Sequence, residues 1–142
     1  MKQFKKVKKI HFVGIGGAGM IGIARVLLKK GYKISGSDVV DSNDLKKLRE
    51  DGAKVYIGHN KDNIKGANLL VVSSAINKNN PELVQAKKKS ITTIPRAEML
   101  ASIMIGYEKL LLESVPDLCL VVGDVNSTMA CAIVAKKMKI KS

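Results

Sequence analysis

Residues 9–31 read KIHFVGIGGAGMIGIARVLLKKG, and this stretch decides the fold. Lys9–Val13 carries Ile, Phe and Val in a short run of strand character. It passes directly into Gly14-Ile15-Gly16-Gly17-Ala18-Gly19 and then into a helix-like stretch that Gly31 closes. Gly14, Gly16 and Gly19 satisfy G-x-G-x-x-G in the context that gives the motif meaning, after a strand and opening a helix. In that place the first glycine makes the turn, the second lets the backbone approach a diphosphate, and the third lets the helix pack close to the strand. The free N–H groups and the helix dipole then attract the anion. The spacing indicates a diphosphate without saying which one.

Outward from this unit the same alternation continues. Tyr32–Gly36 reads as a second strand ending at Ser37-Asp38, and Asp41 or Ser42 can cap a helix through Asp51 that Gly52 stops. Lys54–Ile57 is a third strand. Asn68–Val72 is a fourth, nearly all apolar, as expected of a parallel strand covered on both faces. Asn80 caps a helix with Pro81 at its first position, running to about Lys89, and Ile91–Ile94 is a fifth strand. From Arg96 to Glu113, Met99, Leu100, Ile103, Met104, Tyr107, Leu110 and Leu111 keep helical spacing. Beyond Pro116-Asp117 come a strand at Leu118–Val122, a loop at Gly123–Thr128 and a last helix to about Met138. Strands alternating with helices give an α/β fold, a Rossmann-like doubly wound parallel sheet of five strands, with Leu118–Val122 available as a sixth.

In an open sheet of order 3-2-1-4-5, ligands bind at the carboxyl ends of strands 1 and 4, where the winding reverses. The loop after strand 1 is the glycine loop and the loop after strand 4 is Ser73-Ser74-Ala75. Ser73 and Ser74 therefore either line the ligand or only cap a turn. Asp38 ends strand 2, where an acidic group commonly accepts hydrogen bonds from a ribose or base, or else is a solvated turn residue. On these grounds alone NAD is the default ligand. His11, near the start of strand 1, lies away from the crevice and reads as a packed core histidine. His59 follows strand 3 on the correct edge, so a ligand contact and an exposed loop position both stay open.

The chain has 142 residues, 46% of them apolar and 26% charged, which fits one globular domain and excludes disordered and fibrous classes. The longest apolar run, Ile10–Ala24, is interrupted by His11 and glycines and falls short of the ~20 residues of a membrane span, so a cytoplasmic protein is expected. The formal charge of +13 invites a nucleic-acid reading, but among 25 basic residues only Arg25, Arg49 and Arg96 are arginine, and five aromatics leave little to stack bases on. A Lys-rich solvated surface with no specific nucleic-acid partner is the expectation. Cys119 and Cys131 lack a CxxC or histidine partner and read as buried thiols, with no metal site. Residues 1–103 carry +12 of the charge, so a compositional seam near residue 103 separates them from 104–142.

HFVGIGGAGMIGIARVLLKKGYKISGSD, then GAKVYIGH, VVSSAI, NPEL and IPRAEML resemble, in order and spacing, the amino-terminal domain of the UDP-N-acetylmuramate:L-alanine ligase family of Mur ligases, over roughly residues 8–103. The resemblance implies a role in peptidoglycan precursor synthesis. It also implies that the diphosphate on Gly14, Gly16, Gly17, Ala18 and Gly19 belongs to UDP-N-acetylmuramate, or UDP, rather than NAD. Asp38, His59, Ser73, Ser74 and Arg96 match motifs around that pocket. Ile21 departs from the family, which usually has Ser there, and removes a hydroxyl from the phosphate site. The family's central domain binds ATP and Mg²⁺ through a glycine-rich loop ending in GKT, and a third domain takes the amino acid. Neither is found here, so no cofactor and no catalytic residue are expected. The later stretch YEKLLLESVPDLCLVVGDVNSTMACAIVAKKMKI is similar to a segment of the non-hydrolysing UDP-N-acetylglucosamine 2-epimerases, in which Asp124 matches an acidic residue implicated in catalysis. Here Asp124 reads better as a helix cap. The chain therefore looks like a fusion within a helix: a UDP-sugar-binding domain at 1–103 and a strand-helix extension at 104–142. The alternatives are an NAD-type dinucleotide-binding module, or one part of a split ligase or epimerase.

Overall fold

Five strands, β1 (Lys9–Val13), β2 (Lys33–Asp38), β3 (Lys54–Ile57), β4 (Leu69–Val72) and β5 (Thr92–Pro95), pair in parallel in the order β3-β2-β1-β4-β5. The computed structural model describes residues 5–114, 116 and 132–139. Helices α1 (Met20–Lys29), α2 (Asn43–Glu50), α3 (Pro81–Lys88) and α4 (Arg96–Ser114) join and follow the strands, with a 3₁₀ turn at Lys61–Ile64 ahead of β4. The winding reverses between β1 and β4, as the alternation in the sequence leads one to expect. The sixth strand expected at Leu118–Val122, the loop with Asp124, and Cys119 and Cys131 lie outside the described residues.

The strands sort their side chains with period two, and this sorting builds two cores. Ile10 and Phe12 of β1, with Leu69 and Val71 of β4, pack with Ile23 and Leu27 of α1, Leu45 and Leu48 of α2, and Met99 and Ile103 of α4. Val13 and Leu70 face the other way, joining Ile64, Ala67 and Ala86, with Leu83 of α3 against them. His11 sits between Ile10 and Phe12 and so belongs to that second face, beneath α3. Burial of these side chains on both faces explains why β4 is almost purely apolar.

Helix ends set the strand starts. Helices α1, α2 and α3 each close with a Schellman pattern, in which Tyr32 N–H bonds Leu27 O, Ala53 N–H bonds Leu48 O and Ile91 N–H bonds Ala86 O. The left-handed residue of each cap is Gly31, Gly52 or Ser90, at φ 91°, 110° and 54°. Tyr32 and Ile91, expected as strand residues, are used by the preceding caps, so β2 and β5 begin one residue later. At the other end β2 runs on to Asp38, because Ser37 and Asp38 find register partners in Tyr56 and Ile57. Asn68 is likewise not in β4; its side-chain oxygen accepts from Lys8 N–H and Lys9 N–H at 2.9 Å and fixes the entry to β1. The helix starts match their sequence signals, Ser42 Oγ accepting from Leu45 N–H and Asn80 Oδ1 from Glu82 N–H, with Pro81 in the first turn.

Helix α4 is continuous across residue 103. Its Leu111 packs with Val134 and Ala135 of the helical stretch 132–137, against Met104, Tyr107 and Met138, and Lys137 pairs with Glu108 at 2.9 Å. No helix among the described residues is long and apolar enough to cross a membrane.

Candidate functional site

The glycine loop turns at the carboxyl end of β1 because two of its residues adopt backbone angles that side chains resist. Gly14 has φ 79° and Gly19, which caps α1, has φ 76°. A Cβ on Gly14 would also lie 3.1 Å from Ser73 Cβ and from Ile76 Cδ1, so the loops after β1 and β4 meet at van der Waals contact. Gly14 N–H and Ile15 N–H both donate to Ser37 O, which ties the loop to β2. The turn between β1 and α1 is therefore pinned from both sides.

The hydrogen-bonding of this loop departs from the simple expectation at Gly16 and Asp38. Gly16 N–H donates to Asp38 Oδ2 at 2.8 Å, and Val40 N–H donates to Asp38 Oδ1 at 3.2 Å. Each oxygen of Asp38 thus already serves the loops, and the amide of the second glycine is satisfied by protein. Gly17 N–H is taken by Gly14 O. Among the described residues the N–H groups of Ala18 and Gly19 make no hydrogen bond, and they stand at the positive end of α1. Arg96, at the start of α4, donates from Nη1 to Ala18 O at 2.6 Å and brings a guanidinium to the same spot. Two open amides, a helix N-terminus and an arginine make an anion-attracting edge, and Asp38 bounds it on the β2 side. A hollow of about 250 Å³ at this edge is lined by residues that include Gly16, Ala18, Gly19 and Ile21.

A larger cleft of about 530 Å³ opens on the other side of the loop, lined by Gly14, Gly17, Asp38, His59, Ser73 and Ile76 among others. Of the residues singled out from sequence, the structure brings together Gly14, Gly16, Gly17, Ala18, Gly19, Asp38, His59, Ser73 and Arg96. Ser73 Oγ accepts from Ala75 N–H at 3.4 Å and also faces the cleft, so its turn role and its cleft position coexist. Ser74 is exposed and is not among the lining residues. Val39, 69% exposed, gives the rim an apolar surface.

Beneath the cleft lies a group that sequence reasoning missed. Glu82, in the first turn of α3, is fully buried. Its Oε2 accepts from His11 Nε2 at 3.2 Å and from Ser37 Oγ at 2.6 Å; its Oε1 accepts from Asn63 Nδ2 at 2.7 Å and from Asn60 N–H at 3.3 Å. Burial, the largest single influence, pushes its carboxyl up, but the hydrogen bonds from His11, Ser37 and Asn63 and the attraction of His11 together hold it below the ordinary value. His11 completes its own pairing through Nδ1 to Ser35 Oγ at 2.9 Å, as a core histidine should. An acidic residue after Asn80-Pro81 looks like ordinary helix N-terminal charge, which hides this role. A polar residue at His11 on a strand otherwise buried was the one signal that a partner must exist.

Comparison with known proteins follows the same pieces of chain. The family model described as "Mur ligase family, catalytic domain" matches residues 9–108, and that described as "UDP-N-acetylglucosamine 2-epimerase" matches residues 76–142. The two matches overlap over 76–108. The UDP-N-acetylmuramate--L-alanine ligase of Sulfurihydrogenibium sp. (strain YO3AOP1) is 54% identical over 99 residues, and that of Aquifex aeolicus (strain VF5) is 50% identical over 99. Each alignment covers 70% of this chain and 22% of the relative, so the chain spans about a fifth of their length. The crystal structure of a UDP-N-acetylmuramate-alanine ligase from Thermotoga maritima superposes with TM-score 0.67 at 29% identity, over 70% of this chain and 23% of that one.

Proposed function

The chain belongs to the Mur ligase family, and from that premise we propose that it holds UDP-N-acetylmuramate, or UDP, by its diphosphate at the carboxyl ends of β1 and β4. The observation that carries this reading is the pair of open amides at Ala18 and Gly19, set at the N-terminus of α1 beside Arg96. A diphosphate there gains charge-assisted hydrogen bonds from groups that otherwise have only water. The 530 Å³ cleft then receives the nucleoside or the sugar, with His59, Ser73 and Asp38 as polar contacts and Val39 as an apolar one. The module binds and orients the nucleotide sugar in peptidoglycan precursor synthesis. Among the described residues no group of three His, Cys, Asp or Glu could hold a metal ion. No catalytic role is assigned to Asp124.

Relatives 54% and 50% identical that are UDP-N-acetylmuramate--L-alanine ligases favour this reading over an NAD-type module. Both oxygens of Asp38 accept from loop amides, and each keeps a lone pair toward the cleft region, so Asp38 by itself is compatible with either ligand. Isothermal titration of the full chain with UDP-N-acetylmuramate and with NADH in parallel tests the choice. Saturable heat is expected from the nucleotide sugar, and heat from NADH alone would overturn the proposal.

A further inference from the structure

The cleft and the buried Glu82 are connected by one chain of hydrogen bonds, through Ser37 to His59. Ser37 is fully buried; its Oγ lies 2.6 Å from Glu82 Oε2 and 2.8 Å from His59 Nδ1. We infer that Glu82, acting through Ser37, is a positioning residue that fixes His59 in its Nδ1–H tautomer, so that Nε2 is the bare acceptor which the cleft offers to a hydroxyl or imide N–H of the bound nucleotide sugar. The inference rests on the binding reading above for the identity of the ligand, and on geometry alone for the tautomer.

For a neutral His59 ring the proton count leaves one arrangement. An ionised carboxylate only accepts, and it has about four lone-pair sites. Here four donors fill them: His11 and Ser37 on Oε2, Asn63 and Asn60 N–H on Oε1. At 2.6 Å two oxygens need a proton between them, and only the Ser37 hydroxyl can supply it. Having spent its single proton on Glu82, Ser37 can only accept from His59, whose Nδ1 must therefore carry hydrogen. The direct approach of His59 Nδ1 to Glu82, at 3.7 Å, is too long to replace this bond. Nε2 of His59 has no partner among the described residues, while the ring lines the cleft and its side chain is 15% exposed. A neutral imidazole with Nδ1–H presents Nε2 as acceptor. His11 shows the contrast: the same carboxylate grips it from the Nε2 side, leaving Nδ1 for Ser35. One buried anion thus orients two histidines in opposite senses, and only one of them reaches the ligand.

Long-range ¹H–¹⁵N spectra of the imidazole rings in the ligand-free full chain test this directly, because the chain has only two histidines and a His59→Gln variant identifies the signals. At a pH where the rings are neutral, the wild-type His59 is expected as the single Nδ1–H form. In Ser37→Ala that preference is lost and Nε2–H appears. Glu82→Gln, which replaces an acceptor oxygen by a donor, produces the same change if it folds. Affinity of Ser37→Ala for UDP-N-acetylmuramate falls about three- to tenfold, the size of one hydrogen bond. An Nε2–H ring at His59 in the wild type, or a pure Nδ1–H ring retained in Ser37→Ala, would overturn the inference. A wild type with the Nδ1–H ring but no heat from UDP-N-acetylmuramate would uphold the relay and refute the ligand assignment.

Discussion

Replacing Glu82 by Ala separates a buried network from an ordinary helix charge. At the second position of α3 an acidic side chain that merely complements the helix dipole contributes about 0.3–1 kcal/mol. The geometry demands more. Glu82→Ala leaves His11, Ser37, Asn63 and Asn60 N–H without an acceptor, three of them on side chains that are buried. Each unsatisfied buried donor costs about 1–3 kcal/mol. Water entering from the cleft recovers part of this sum, which brings the expected loss to about 3–5 kcal/mol, the range for breaking a buried charge pair. Against a total stability of about 5–15 kcal/mol this is a large share. Urea unfolding followed by circular dichroism reads it: with m near about 2 kcal/mol per M, the midpoint moves down by about 2 M. A loss below about 1 kcal/mol would refute the network and return Glu82 to the role of a surface helix charge. The His11→Ala/Glu82→Ala double-mutant cycle locates the coupling, which we expect to exceed about 1 kcal/mol.

The same geometry sets other outcomes. Since the folded-state pKa of Glu82 lies below its ordinary value of about 4.5, the folded chain binds fewer protons there than the unfolded chain. Its contribution is complete above that value and is lost as pH falls through the folded value, so the wild type should lose more stability than Glu82→Ala in an acid titration; parallel profiles would contradict this. Gly14→Ala should cost about 2 kcal/mol by thermal or urea unfolding, because left-handed strain adds to contacts at 3.1 Å. Gly31→Ala, at φ 91° with nothing within 4 Å, should cost only the strain of about 1 kcal/mol. Arg96→Met should weaken UDP-N-acetylmuramate about tenfold in calorimetry and leave the fold intact, as expected of a charge-assisted contact at the glycine loop. Ile21→Ser, which puts a hydroxyl into the first turn of α1, should tighten binding by a few fold; a weaker complex would place the phosphate elsewhere.

Local signals were the legible ones. The strand-glycine-helix unit, the Asn80-Pro81 start of α3, the Ser42 cap of α2 and the alternation that orders the sheet are all written within a few residues of where they act. The one-residue shifts at Tyr32 and Ile91 show the limit even locally. Gly31 was visible as a stop signal, but nothing in composition says that the next residue also serves the cap, and at Ser90 the left-handed position is not even a glycine. The site was legible where the loops come from strand ends, as for Ser73 and His59, and where a resemblance marked the position, as for Arg96. It was not legible where partners are far apart in sequence. His11 and Glu82 are separated by 71 residues and Gly16 and Asp38 by 22, so the sheet must be assembled before either pairing exists.

The assignment of the glycine loop to a nucleotide-sugar diphosphate is tested most directly by amide chemical shifts. Titrating UDP-N-acetylmuramate into the ¹⁵N-labelled full chain should move the Ala18 and Gly19 amides most, with the Arg96 side chain and the His59 ring following, while Gly16, already bonded to Asp38, moves less. Saturating shifts confined to other surfaces, or none at the glycine loop while NADH produces them there, would contradict the assignment.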